Sequence, residues 1–104
     1  MDLHLNDKAA VVTGGSKGIG KGIAHSLAKE GCSVSICART EDELEATADE
    51  LRDTGAEILA TQADLTNEAD IEKVVSQTAN KFGSIDILVN NAGTIGQSGT
   101  LEGT

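Results

Sequence analysis

The chain has 104 residues, of which 38% are apolar and 24% charged, and carries a formal net charge of −9. That length is one domain of about 100–200 residues or part of one, and the composition excludes wholesale disorder, collagen and low complexity. The acidity argues against a phosphate-tracking surface, and no run approaches the roughly 20 apolar residues of a membrane span, so neither nucleic acid nor membrane is an expected partner.

The predicted elements alternate. Residues 9–13 (AAVVT) are a short apolar run bounded by glycine and read as a buried parallel strand. The loop GGSKGIG follows at 14–20. Ile19, Ile23, Ala24, Leu27 and Ala28 then recur with helical period, predicting a helix over about 19–30 that Gly31 terminates. Gly22 lies inside that helix at a cost of roughly 1 kcal/mol against Ala, which close contact with a neighbouring strand would justify. Residues 32–38 (CSVSICA) form the next strand, with Val34 and Ile36 on one face and Ser33, Ser35 and Cys37 on the other. Thr40 opens a second helix, with Glu43 completing a capping box; Leu44, Ala48 and Leu51 share a face, and Gly55 stops it. Residues 57–61 are a third strand. Thr66 or Asn67 caps a third helix, whose stripe is Ile71, Val74, Val75, Thr78, Ala79 and Phe82, ended by Gly83. Residues 85–89 (IDILV) are a fourth strand, followed by NNAG.

The order βαβαβαβ is the pattern of a Rossmann-like, doubly wound parallel α/β sheet with about four strands and three helices. Such nucleotide domains commonly have about six strands, so the sheet reads as incomplete. Residues 1–93 are the expected partial dinucleotide-binding domain. Residues 94–104, with glycines, hydroxyl residues and no period, are an expected loop or disordered tail. An apolar fourth strand left at an edge implies a fragment or a chain completed by a partner. Residues 1–8 are polar, with no apolar core of a secretory signal behind them. Cys32 and Cys37 are too few and too irregularly spaced for a disulfide scaffold or zinc site, and no N-x-Ser/Thr occurs. A reducing cytoplasm is the expected location.

The glycine loop carries the chemistry. Between strand and helix, glycines at 14, 18 and 20 allow a tight turn, close approach to a pyrophosphate and close helix–strand packing, while the helix N-terminus offers free N–H groups to the anion. The spacing is G-x-x-x-G-x-G. Gly15 to Lys21 also fits the first seven places of a P-loop, but the eighth is Gly22, so the hydroxyl that would hold magnesium is missing. Charge is distributed to match an anion site: residues 1–40 carry five bases against three acids, residues 41–104 three bases against fourteen acids. An NAD site usually places a carboxylate at the end of the second strand. Here that strand ends Cys37-Ala38-Arg39-Thr40, and Arg39, with Lys17 in the loop, suits the 2′-phosphate of NADP instead.

Three segments, Thr13-Gly14-Gly15-Ser16-Lys17-Gly18-Ile19-Gly20, Asp64-Leu65 and Asn90-Asn91-Ala92-Gly93, in this order and spacing, resemble the N-terminal, cofactor-binding part of the short-chain dehydrogenase/reductase family. The likeness is similar in tone to 3-oxoacyl-(acyl-carrier-protein) reductases and to glucose or polyol dehydrogenases. By that resemblance Gly14, Gly18 and Gly20 would hold the pyrophosphate, with Ser16 and Ile19 lining the turn. Lys17 and Arg39 would select the 2′-phosphate, Asp64 and Leu65 would flank adenine, and Asn91, Ala92 and Gly93 would lie beside the ribose. Thr13 would tie the first strand to the loop after the fourth. The family's later Ser and Tyr-x-x-x-Lys carry hydride transfer to a carbonyl or from an alcohol; this sequence has no tyrosine, so no catalytic residue is assigned in it. A longer form would act on a small carbonyl or alcohol substrate as a homodimer or homotetramer. The alternative is a non-catalytic dinucleotide-binding or vestigial module that needs a partner. No metal site is expected.

Overall fold

The computed structural model describes residues 8–14 and 18–90. Strands β1 (Ala9–Thr13), β2 (Ser33–Ala38), β3 (Ile58–Gln62) and β4 (Ile87–Asn90) alternate with helices α1 (Gly18–Lys29), α2 (Glu41–Arg52) and α3 (Glu68–Phe82). They form one parallel sheet in the order β3-β2-β1-β4. This is the expected doubly wound α/β fold. β3 begins one residue later than the sequence suggested, and β4 two residues later. The delay in β4 has a visible cause: Asp86 accepts a hydrogen bond from the Ala9 amide at 2.9 Å and from Ser84 at 3.0 Å, while its own amide donates to the Ala9 carbonyl. It anchors the strand entrance instead of extending the ladder.

Two cores flank the sheet. On one face Ala24 and Ala28 of α1 and Leu44, Ala48 and Leu51 of α2 pack on Ala10, Val12, Val34, Ile36 and Ile58. Each fully buried Ile, Leu or Val there contributes about 1.5–3 kcal/mol. On the other face Val74 of α3 packs with Val11, Cys37 and Ala63. β2 is thus covered on both sides, with its residues on the two faces the alternation assigned: Val34 and Ile36 meet α1 and α2, while Ser35 faces α3. The Ser35 and Thr78 hydroxyls lie 2.8 Å apart, and Thr78 also donates to the Val74 carbonyl at 2.7 Å. This joins the middle of β2 to α3 through a fully buried polar pair.

Three local expectations need correction. Gly22 is exposed, and a Cβ there would meet nothing within 4 Å, so no close strand contact explains it. Thr40 is the N-cap of α2, but its side chain makes no cap bond; the helix starts on its carbonyl, which accepts from Leu44 N at 3.0 Å, with Glu41, Asp42 and Glu43 complementing the dipole. In the α3 stripe only Val74 and Thr78 are buried, whereas Ile71 and Val75 are 40% and 45% exposed. Among the described residues α3 is the sole helix on its face of the sheet, so only the side of its stripe turned to β2 is covered. Asn67, one of the two expected caps, accepts from the amides of Ala69 and Asp70. The tail expected at 94–104 lies outside the described residues.

Candidate functional site

In an open parallel sheet, ligands bind outside the carboxyl ends of the strands where the strand order reverses. With the order β3-β2-β1-β4, that point lies beside β1, and the glycine turn leaves β1 there. Gly14 has φ 67° and Gly18 φ 63°, a left-handed conformation that residues with a Cβ adopt only with strain. The Gly14 amide donates to the Cys37 carbonyl at 3.0 Å, bending the chain off β1 across the end of β2. Gly18 opens α1, and its Cβ position is empty, so conformation rather than crowding requires glycine. Gly20 is buried within α1. Ile19, the second residue of α1, is 74% exposed. Ser16 and Lys17, expected in the same turn, lie outside the described residues, as do Asn91, Ala92 and Gly93 beyond β4.

Thr13 closes the turn from the other side. Its hydroxyl lies 3.0 Å from Asn90 Oδ1 and 3.3 Å from the Val89 carbonyl, linking the ends of β1 and β4 as the sequence suggested. Cys37, under the turn, is fully buried, and burial pushes its thiol up to about 11, outweighing the opposing bond from Gly14. Burial raises Cys32 as well, with the Asp86 charge adding to it. Both are thus neutral packing groups.

The ends of β2 and β3 and the first turns of α3 border an open pocket of about 380 Å³, lined by Arg39, Gln62, Ala63, Asp64, Asp70 and Lys73. This volume is within the range of small-ligand sites. Its floor is tied together by three bonds: Ala63 N to the Ala38 carbonyl at 2.9 Å, Gln62 Nε2 to the Arg39 carbonyl at 2.9 Å, and Asp64 N to Asp70 Oδ2 at 2.8 Å. Asp64 Oδ1 accepts from the Thr66 hydroxyl at 2.7 Å and its amide at 2.9 Å. These bonds, the hydroxyl's first, hold the Asp64 carboxyl below its ordinary value, with the Arg39 charge assisting. An ionised carboxylate in that place accepts hydrogen bonds, as an exocyclic amine would require. Leu65 packs against the α3-side core. Arg39 and Asp64, 25 residues apart in sequence, therefore meet at one pocket, while Gly14, Gly18 and Ile19 frame the neighbouring turn. Sequence reading missed Gln62, Ala63, Asp70 and Lys73 as pocket residues. The signal available was spacing: Asp70 and Lys73 are three apart in α3 and share the helix face above the β3 end.

Comparison with known proteins bears on the family and the fold. The sequence profile of the family described as short chain dehydrogenase matches residues 8–104. A 3-oxoacyl-(acyl-carrier-protein) reductase of Staphylococcus epidermidis is 41% identical over 88 residues, covering 84% of this chain and 36% of that protein. The crystal structure of L-sorbose reductase from Gluconobacter frateurii, complexed with NADPH and L-sorbose, superposes with a TM-score of 0.87 at 39% identity, covering 98% of this chain and 39% of that one. NAD+-bound xylitol dehydrogenase superposes with a TM-score of 0.84 at 33% identity, over 88% of this chain and 35% of that one. The chain spans less than half the length of the curated relatives it matches. A parallel sheet with a left-handed glycine turn at its switch point, joined to a profile match over nearly the whole chain, places this protein in the short-chain dehydrogenase family of oxidoreductases.

Proposed function

We propose that this chain is the NADP(H)-binding portion of an oxidoreductase that transfers a hydride between NADP(H) and a small carbonyl or alcohol substrate. The observation that carries the cofactor choice is Arg39. It stands just past the end of β2 and lines the pocket, where an NAD site would have a carboxylate. A planar guanidinium pairs with a phosphate through two parallel N–H donors, a contact NADH cannot offer it. Relatives of similar fold include one crystallised with NADPH and one bound to NAD+, so the residue at the β2 end is the appropriate discriminator.

In this reading Gly14, Gly18 and the α1 N-terminus hold the pyrophosphate, with Ser16, Lys17, Ile19 and Gly20 completing the turn. Asp64 accepts from adenine beside Leu65, and Asn91, Ala92 and Gly93 lie along the ribose. The bound dinucleotide supplies the hydride. The proton at the substrate oxygen needs an acid that this tyrosine-free sequence does not provide, so the chain alone is inactive, and catalysis belongs to a longer homo-oligomeric form. A second reading, a dinucleotide-binding module completed by a partner, is favoured by Leu88. Its register partner Val11 belongs to the α3-side core, yet Leu88 is 63% exposed, and Ile71 and Val75 of α3 are 40% and 45% exposed. Exposed apolar side chains of this kind suit burial against a partner.

The test is calorimetric titration of the chain with NADPH and NADH. NADPH should bind more tightly, and Arg39→Asp should weaken NADPH by at least about tenfold while sparing NADH. Equal loss of both would reject the 2′-phosphate role.

A further inference from the structure

Lys73 belongs to none of the motifs above, yet it lines the same pocket as Arg39. Four of the six lining residues are charged, and their hydrogen bonds are unequally used. Asp64 is held by Thr66, and Asp70 by the Asp64 amide. Gln62 is tied to the Arg39 carbonyl. Asp64 Oδ1 and Asp70 Oδ2 are thus bonded within the protein, which fixes where the two carboxylates sit in the pocket. Among the described residues no salt bridge reaches the Arg39 guanidinium or the Lys73 ammonium, although the Arg39 charge is felt by Asp64; Lys21 and Arg52, by contrast, are paired with Glu50 and Asp49. Arg39 enters from the end of β2 and Lys73 from α3, one turn beyond the Asp70 that is bonded to the pocket floor. Two cations from different elements that no salt bridge claims can both turn toward an anion at this pocket.

We propose that Lys73 is a specificity-determining residue, its ammonium joining Arg39 in holding the phosphomonoester of a 2′-phosphorylated adenine nucleotide. The assignment rests on the NADP(H) reading and adds a contact from α3 to it. Arg39 supplies the directional fork; Lys73 supplies a mobile point charge.

The experiment titrates the chain, Lys73→Gln, Lys73→Arg and Arg39→Asp with NADPH and with NADH at two salt concentrations. Lys73 is exposed on α3, so the replacements leave the core untouched. Lys73→Gln should weaken NADPH about fivefold, leave NADH within about twofold, and reduce the salt dependence of NADPH binding; Lys73→Arg should keep the preference. An unchanged NADPH-to-NADH ratio in Lys73→Gln, alongside a collapsed ratio in Arg39→Asp, overturns the Lys73 assignment alone. An unmodified chain with no preference for NADPH, or an Arg39→Asp variant that keeps it, overturns the NADP(H) reading and Lys73 with it.

Discussion

Two glycines four residues apart in one helix should respond oppositely to the same substitution. Gly18 and Gly22 both lie in α1, and a Cβ built on either meets nothing within 4 Å. Space therefore does not separate them; backbone conformation does. Gly22 is an exposed helix-interior residue without a positive φ, so Ala removes the glycine penalty of about 0.8–1.0 kcal/mol. Gly18 sits at φ 63°, where a Cβ costs about 1–2 kcal/mol. The two variants should thus differ by about 2–3 kcal/mol in unfolding free energy, the sum of those effects. Urea unfolding followed by far-UV circular dichroism measures this. With an m-value of about 1–2 kcal/mol/M, Gly22→Ala should raise the midpoint by about half a molar or more, and Gly18→Ala should lower it by at least as much, with m unchanged. NADPH affinity should survive in Gly22→Ala and fall in Gly18→Ala, because only Gly18 shapes the turn. A Gly22→Ala midpoint at or below that of the unmodified chain would refute the reasoning, since some unseen contact would then require glycine there.

Other outcomes follow from the buried and titrating groups. Thr78→Val keeps the shape but leaves the buried Ser35 hydroxyl without its partner, and should cost about 1–3 kcal/mol in the same unfolding assay; a double variant with Ser35→Ala should recover part of that loss. Asp86 is held below its ordinary value of 3.8, first by the Ala9 amide and then by the Ser84 hydroxyl, with desolvation opposing and the Lys8 charge assisting. A depressed folded value means that its stabilisation is present above the unfolded value near 3.8 and is lost as pH falls through the folded one. Urea midpoints at pH 7 and pH 3 should therefore differ less in Asp86→Asn than in the unmodified chain; an identical pH dependence would remove Asp86 from the account.

Much of the architecture was legible in the sequence because the signals were local. Short apolar runs bounded by glycines marked strands, helical periodicity marked the helices between them, and Gly31, Gly55 and Gly83 marked their ends. The order alone implied a parallel sheet. The glycine turn was legible for the same reason: three glycines between a strand and a helix admit few other conformations, and Gly14 and Gly18 do adopt positive φ. The capping box at Thr40 was misread because its pattern names residues that are able to bond, without establishing that their side chains do so.

What needed the tertiary structure was everything set by the meeting of distant segments. Sequence alone determined that α3 is amphipathic; only packing showed that Val74 and Thr78 are covered while Ile71 and Val75 are not, because coverage depends on which neighbours share that face of the sheet. Sequence pointed to Arg39 by its place after β2. Its company in the pocket, Asp64, Asp70 and Lys73, follows from the parallel pairing of β2 with β3, which brings two strand ends and the start of α3 to one side of the sheet. Period and propensity act over a few residues, whereas a binding pocket is made by strand register, so the turn could be read along the chain and the pocket could not.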